Sequence, residues 1–345
     1  MTTHKPSHKF MKHSLWVSYI LLAAGIGLLV WLIQHVGAHL ILDYMKQMGW
    51  KFIPFLAVSF ITFMLFTWSW NTFLEGHHYS IKFWKLFMLK ATGEAVNTIN
   101  PLGFGGGDPA RVFLMKKDIP LAESTASVVV DRTMNSIALV VFMIVGILIA
   151  FIEFDLPLSL QIGFPVSLLF MFWMTYYWYK RQHEGVFQFL VEFLKKVKIK
   201  KAWTPETLEK LKEIDRYITE FYKHNKKGFY LAFWLQILCR ILGVLEIYLA
   251  AYFLGMEMSF VSAYLLASLT VVINIVFVFV PGSVGVMEGA YAGVFMLTHQ
   301  NPAVGTSIGI LRRIRMLVWS AVGIYYIYHQ DRKTRSQLQH LVLEE

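Results

Sequence analysis

The chain has 345 residues, 56% of them hydrophobic and 16% charged, with a mean hydropathy of +0.51, a balance that excludes an ordinary soluble domain, where charge is denser. A net charge of +10 would suit nucleic acid, but its placement excludes that partner. The segment 180–228 holds 13 Lys/Arg against 7 Asp/Glu, and further basic residues cluster at Lys5, Lys9, Lys12 and at Arg332, Lys333, Arg335, juxtamembrane positions where positive charge marks the cytoplasmic face and attracts anionic lipid.

Six apolar runs, 15–36, 52–74, 119–152, 158–179, 229–254 and 303–328, are each long enough to cross a bilayer as a helix. After a cytoplasmic tail over 1–14, the first run reads as a span and not a cleaved signal. Its apolar core, Leu15 to Ile33, is too long for a signal and no small-x-small cleavage site follows. The run 52–74 returns to the inside. The next segment, 83–117, is apolar but carries Lys85, Lys90 and Glu94, then breaks at "NPLGFGGGDPAR" (100–111). A full crossing here would put the basic 180–228 segment outside, against the positive-inside rule. A re-entrant hairpin from the cytoplasmic face removes the conflict.

The run 119–152 then leads out to "EFDLP", acidic and free of Lys and Arg, and 158–179 comes back. Within 180–228, apolar positions 186, 190, 193, 194 and 197 make one helical stripe. Thr204 as N-cap, Pro205 at the first helical position and Leu208, Leu211, Ile214, Ile218, Phe221 and Tyr222 predict a second. Both suit helices lying on the cytoplasmic interface. The run 229–254 goes out, 259–298 reads as a hairpin from the external face broken at "PGSVGVMEG", and 303–328 returns to a cytoplasmic tail over 329–345. The single cysteine, Cys239, excludes an intrachain disulfide. His77–His78 lacks further ligands at metal spacing, so neither a metal site nor a cofactor is expected.

The two breaks repeat. Pro101, Asp108 and Arg132 stand 180 residues before Pro281, Glu288 and Arg312, and glycines follow each proline. Each half holds two spans, a hairpin and one span, the first repeat over 15–152 and the second over 158–328. Three crossings per half invert the second repeat. The expected fold is therefore an all-α integral membrane protein of about six transmembrane helices plus two re-entrant hairpins in an inverted-topology repeat, a transporter architecture.

Non-helical backbone cannot face lipid, so the breaks must line an enclosed or watery cavity. That makes Gly103, Gly105, Gly106, Gly282 and Gly285 candidates for close approach of a ligand to the main chain, near the positive ends of the helices that follow. Arg111, Arg132 and Arg312 offer forks of donors to phosphate, and Asp108, Asp131 and Glu288 can pair them. Arg132 and Arg312 are expected to bind phosphate, held by Asp131 and Glu288 when lipid is absent. Arg313 and Arg315 are expected to face elsewhere and snorkel. Arg240 and Glu246, six apart, each need a partner from another span.

The motifs "NPLGFGGGDPARVFLMKK", "SVVVDR", "VPGSVGVMEG" and "RRIR" resemble those of the flippase-like transmembrane region of lysylphosphatidylglycerol synthases. The resemblance covers roughly 15–328. It implies a stand-alone member without the family's soluble aminoacyl-transferring domain, placed in the cell membrane and linked to polar-lipid translocation. The family usually has Gly-Glu where this chain has Gly107-Asp108. The expected function is a lipid translocase taking a phospholipid or a polyprenyl-phosphate-linked headgroup at a midplane cavity. The alternative is a lipid-modifying transferase or an accessory to a polar-lipid biosynthetic enzyme. No nucleophile–base pair or metal cluster stands in the sequence to favour an enzyme.

Overall fold

The computed structural model describes residues 38–76, 81–99, 106–116, 118–153, 158–185, 187, 189, 191, 205–277, 280, 283, 285–297 and 301–343. The predicted first span, Pro101, Gly103, Gly105, Thr204, Pro281 and Gly282 lie outside them. Every regular element among the described residues is helical: α1 Ala38–Met48, α2 Phe52–Gly76, α3 Phe83–Ile99, α4 Gly107–Met115, α5 Leu121–Glu153, α6 Leu158–Glu184, α7 Pro205–His224, α8 Lys226–Phe253, α9 Phe260–Val276, α10 Val286–Leu297 and α11 Pro302–Leu343. A single 3-10 turn, Gly49–Lys51, joins α1 to α2.

Among the described residues, three helical stretches, Leu42–Gly76, Leu121–Ile149 and Lys226–Phe253, are long and apolar enough to cross a membrane. Their outward faces stay greasy, as on α5, where Val141, Val145 and Leu148 are exposed. Such surface is stable only against lipid or protein. Each predicted hairpin contains two helices, α3 with α4 and α9 with α10. An offset of 180 carries α3 to within three residues of α9 at both ends, and α4 to within two residues of α10. The repeat read from single residues therefore also governs where helices start and stop.

The chain forms two compact units. The first comprises Met1–Ser59, Met88–Ala110 and Leu245–Glu345; the second comprises Phe60–Phe87 and Arg111–Val244. In the first, α10 packs on α9 and α11, and α11 on α1. Its start is fixed by Asn301, whose Oδ1 accepts the Ala303 N–H at 2.9 Å, with Pro302 at the first helical position. Glycines set its spacing: a Cβ on Gly305 would lie 2.6 Å from the Tyr291 carbonyl oxygen, and one on Gly309 would lie 3.0 Å from Glu288 Cα. Gly305 and Gly309 are one turn apart, the small-residue pattern by which membrane helices approach closely. Further along, a Cβ on Gly323 would lie 2.5 Å from the Ala91 carbonyl oxygen of α3. Thr92 Oγ1 donates to the Gly323 carbonyl at 3.3 Å.

In the second unit α5 packs on α6 and α7, and α6 on α7. Asn225 caps α8 by accepting the Gly228 N–H at 2.9 Å, and its Nδ2 donates to the Thr72 carbonyl near the end of α2 at 3.2 Å. The predicted stripe on α7 is real: Ile214, Ile218, Phe221 and Tyr222 are buried. It faces protein, however, and not a membrane interface. Tyr222 Oη donates to Gln182 Oε1 at 2.6 Å, and Gln182 Nε2 donates to Thr133 Oγ1 at 2.5 Å, linking α7 through α6 to α5. Amphipathic periodicity reports that one face is covered and leaves the cover unnamed.

Candidate functional site

The first unit holds a cavity of about 290 Å³. Glu94, Asn97 and Thr98 line it from α3, Asn274 and Ser283 from either side of the second break, Met287, Glu288 and Tyr291 from α10, and Gly309, Arg312, Arg313, Arg315 and Met316 from α11. Glu94 and Asn274 stand at the repeat offset of 180, so corresponding turns of the two broken helices meet one space.

Glu288 is the best-held carboxylate in it, with a side chain only 1% exposed. It sits in the first turn of α10 and reaches back, its Oε2 accepting the Gly285 N–H at 2.9 Å. That is the reciprocal half of a capping box, made where the helix end favours negative charge. Arg313 completes the clamp. Its Nε donates to Glu288 Oε1, and its Nη2 donates to Glu288 Oε2 and to the Ser283 carbonyl, both at 3.1 Å. Ser283 holds a φ of +48°, a left-handed backbone uncommon outside glycine. Its Oγ donates to Asn274 Oδ1 at 2.9 Å, so side chains on both sides hold the turn in place.

Sequence reasoning gave Glu288 to Arg312 and sent Arg313 elsewhere. The structure corrects both. Gly309 removes a side chain where the α10 backbone presses on α11, and Arg313, one turn on, rises from that same face to meet Glu288. Arg312 is rotated about 100° from it. Its Nη1 donates to Tyr291 Oη at 2.5 Å, and its guanidinium carbon lies 5.8 Å from the Tyr291 ring centroid. Arg315 donates from Nη1 to Glu246 Oε2 of α8 at 2.6 Å, the interhelical partner that Glu246 required. Arg315 Nε and Glu246 Oε1 are buried without a hydrogen-bond partner among the described residues. The three arginines are thus unequal. Two carry carboxylates, while Arg312 hydrogen-bonds a neutral phenol beside the cavity that Glu94 also lines, with Glu246 acting on it through space.

Other predicted site residues lie elsewhere. Arg111 and Asp131 pair in the second unit, Nη2 to Oδ2 at 2.8 Å, with side chains 2% and 4% exposed. The Arg111 guanidinium carbon stacks 3.9 Å from the Trp70 ring centroid. Asp131 therefore takes Arg111, where Arg132 was the expected partner; Arg132 is exposed. Asp108 and Gly106 are half-buried at the start of α4 and are not among the residues lining the cavity. Gly107 serves packing: a Cβ there would lie 2.0 Å from the Gly93 carbonyl oxygen, and its N–H donates to Asn97 Oδ1 at 2.8 Å.

A family model described as the lysylphosphatidylglycerol synthase TM region matches residues 16–323. A UPF0104 membrane protein of Pyrococcus horikoshii is 23% identical over 309 residues, 86% of this chain and 92% of its own length. Another, of Methanothermobacter thermautotrophicus, is 24% identical over 331 residues, 91% and 95% of the two chains. No solved structure matches the chain.

Proposed function

The chain belongs to the family of the lysylphosphatidylglycerol synthase transmembrane region, and from that premise we propose that it moves a polar lipid between the leaflets of the cell membrane. Arg312 takes the headgroup phosphate. The observation that carries this reading is the Arg312 guanidinium, which makes no ion pair among the described residues and stands beside a cavity of headgroup size, flanked by two arginines that each hold a carboxylate. A phosphate displaces the Tyr291 phenol at little electrostatic cost and meets a planar fork of donors.

The topology that serves this function has six spans and two opposed hairpins, 83–117 and 259–298, with both termini and the basic segment 180–228 cytoplasmic. That segment attracts anionic lipid to the cytoplasmic face. The substrate is a phospholipid or a polyprenyl-phosphate-linked headgroup, supplied by a polar-lipid biosynthetic enzyme. The test is headgroup translocation of labelled phospholipid and polyprenyl-phosphate lipids in proteoliposomes. A rate no greater than that of protein-free vesicles for every lipid would leave an accessory role and end the translocase reading.

A further inference from the structure

The second unit holds two arginines with unlike surroundings. Arg111 has the Asp131 carboxylate and the Trp70 ring. Arg240 stands halfway along the 28-residue α8, about 21 Å from its start at 1.5 Å per residue. Its Nη2 donates to Asn135 Oδ1 of α5 at 2.7 Å. Its Nε is buried and finds no hydrogen-bond partner among the described residues. Asn135 gives direction to the guanidinium but no charge.

The amide is itself fixed from behind. Asn135 Nδ2 donates to Gln236 Oε1 at 3.1 Å, and Gln236 Nε2 donates to Ser69 Oγ at 3.0 Å and to Asp131 Oδ1 at 3.5 Å. The cluster therefore runs from Arg240 through Asn135, Gln236 and Asp131 to Arg111, with two cations and one carboxylate. An excess charge halfway along a helix apolar enough to span a membrane is costly, and such residues mark binding or conduction by default. Glu246, six residues on in the same helix, has its own counter-ion in Arg315. Arg240 has an amide where a carboxylate would have balanced it. Part of its side chain stays reachable, since the residue is only half-buried.

We infer that Arg240, oriented by Asn135 and Gln236, is an anion-binding site for a singly charged phosphate. One negative charge balances the cluster; a diphosphate would overshoot it. The source is either a lipid phosphodiester or free phosphate. None of these residues lines the cavity around Arg312, so the inference goes beyond the function proposed above.

The experiment uses the full-length protein in neutral detergent, carrying Arg312→Gln so that the cavity contributes nothing. Thermal unfolding is followed while titrating dihexanoyl phosphatidylglycerol, uncharged dihexanoylglycerol, sodium phosphate and sodium chloride at matched ionic strength. The expected result is a saturable upward shift with phosphatidylglycerol and none with the uncharged lipid. Adding Arg240→Gln should weaken that response roughly tenfold or more, as befits the loss of a charged hydrogen bond. It should leave the unliganded unfolding temperature equal or higher, because the glutamine keeps an amide contact and removes the excess charge. A response to sodium phosphate at the same concentration assigns the site to free phosphate; a response to the lipid alone assigns it to a headgroup. An undiminished shift in the Arg240→Gln protein, an equal shift with chloride, or a fall of several degrees without ligand overturns the inference.

Discussion

Arg313→Ala tests whether the Glu288 clamp is a structural pair. The substitution removes two donors from a carboxylate that is 1% exposed, and a third from the Ser283 carbonyl. Breaking a buried ion pair from one side costs about 3–5 kcal/mol, because the remaining charge is stranded. Glu288 keeps the Gly285 N–H and the α10 N-terminus, which places the loss near the lower end, about 3 kcal/mol. Glu288→Gln keeps the Gly285 contact and leaves Arg313 with a neutral acceptor, so it should cost about 1–2 kcal/mol. The double variant should cost about 2 kcal/mol, since no charge is then left unpaired in the interior, giving a coupling of about 2–3 kcal/mol. Unfolding of purified protein by SDS titration in mixed micelles measures all four corners. A coupling below about 0.5 kcal/mol would mean that the two residues act independently, and the clamp would be refuted.

Arg312→Lys should impair translocation in proteoliposomes, because a point charge replaces a planar fork. Arg312→Ala should also abolish it while sparing SDS resistance, since Glu288 is held by Arg313; if Arg312→Ala loses activity only by unfolding, Arg312 is structural. Gly305→Ala should destabilise by about 1–3 kcal/mol, its new methyl lying 2.6 Å from the Tyr291 carbonyl oxygen; parental resistance to SDS would show that α10 and α11 are free to separate. In a Cys239→Ala background, an impermeant thiol reagent should reach cysteine at 155 only from outside and at 198 only from inside. The reverse pattern would overturn the proposed topology.

Hydropathy and charge located most of the long described helices to within a few residues, because helix ends coincide with lysines, glycines and prolines that a bilayer or a helix interior rejects; α1, read as a loop, was missed, and α11 runs 15 residues past its expected end at 328. The repeat was legible because the proline and the two charged residues of each break stand at one offset. The pairing was less so. On a single helix Arg313 and Arg315 point away from Arg312, and only the wrapping of α11 by α10, α3 and α8 turns all three toward one space. One clue was present: Gly309, one turn before Arg313, marks where another backbone comes close. The partners of α7 were out of reach for a similar reason, since a stripe such as Ile214, Ile218 and Phe221 is the same whether lipid or helix covers it.

The last long helix is anchored on either side of its arginines. Gly305 and Gly309 seat it against α10, while Gly323 and Ser320, whose Oγ donates to Thr98 Oγ1 at 3.3 Å, seat it against α3. The segment from Arg312 to Arg315 is slung between these moorings and cannot slide along its axis without breaking one of them. Such charges form a stationary post and not a shuttle. A passing headgroup finds the fork already aimed, and the ordering entropy falls on the lipid and not on the protein. Selection among lipids is then a matter of how readily each headgroup sheds its water to reach a fixed point. Amide hydrogen exchange should accordingly be as slow across residues 309–316 with lipid absent as with lipid bound; faster exchange in the empty protein would argue for a helix that forms around its cargo.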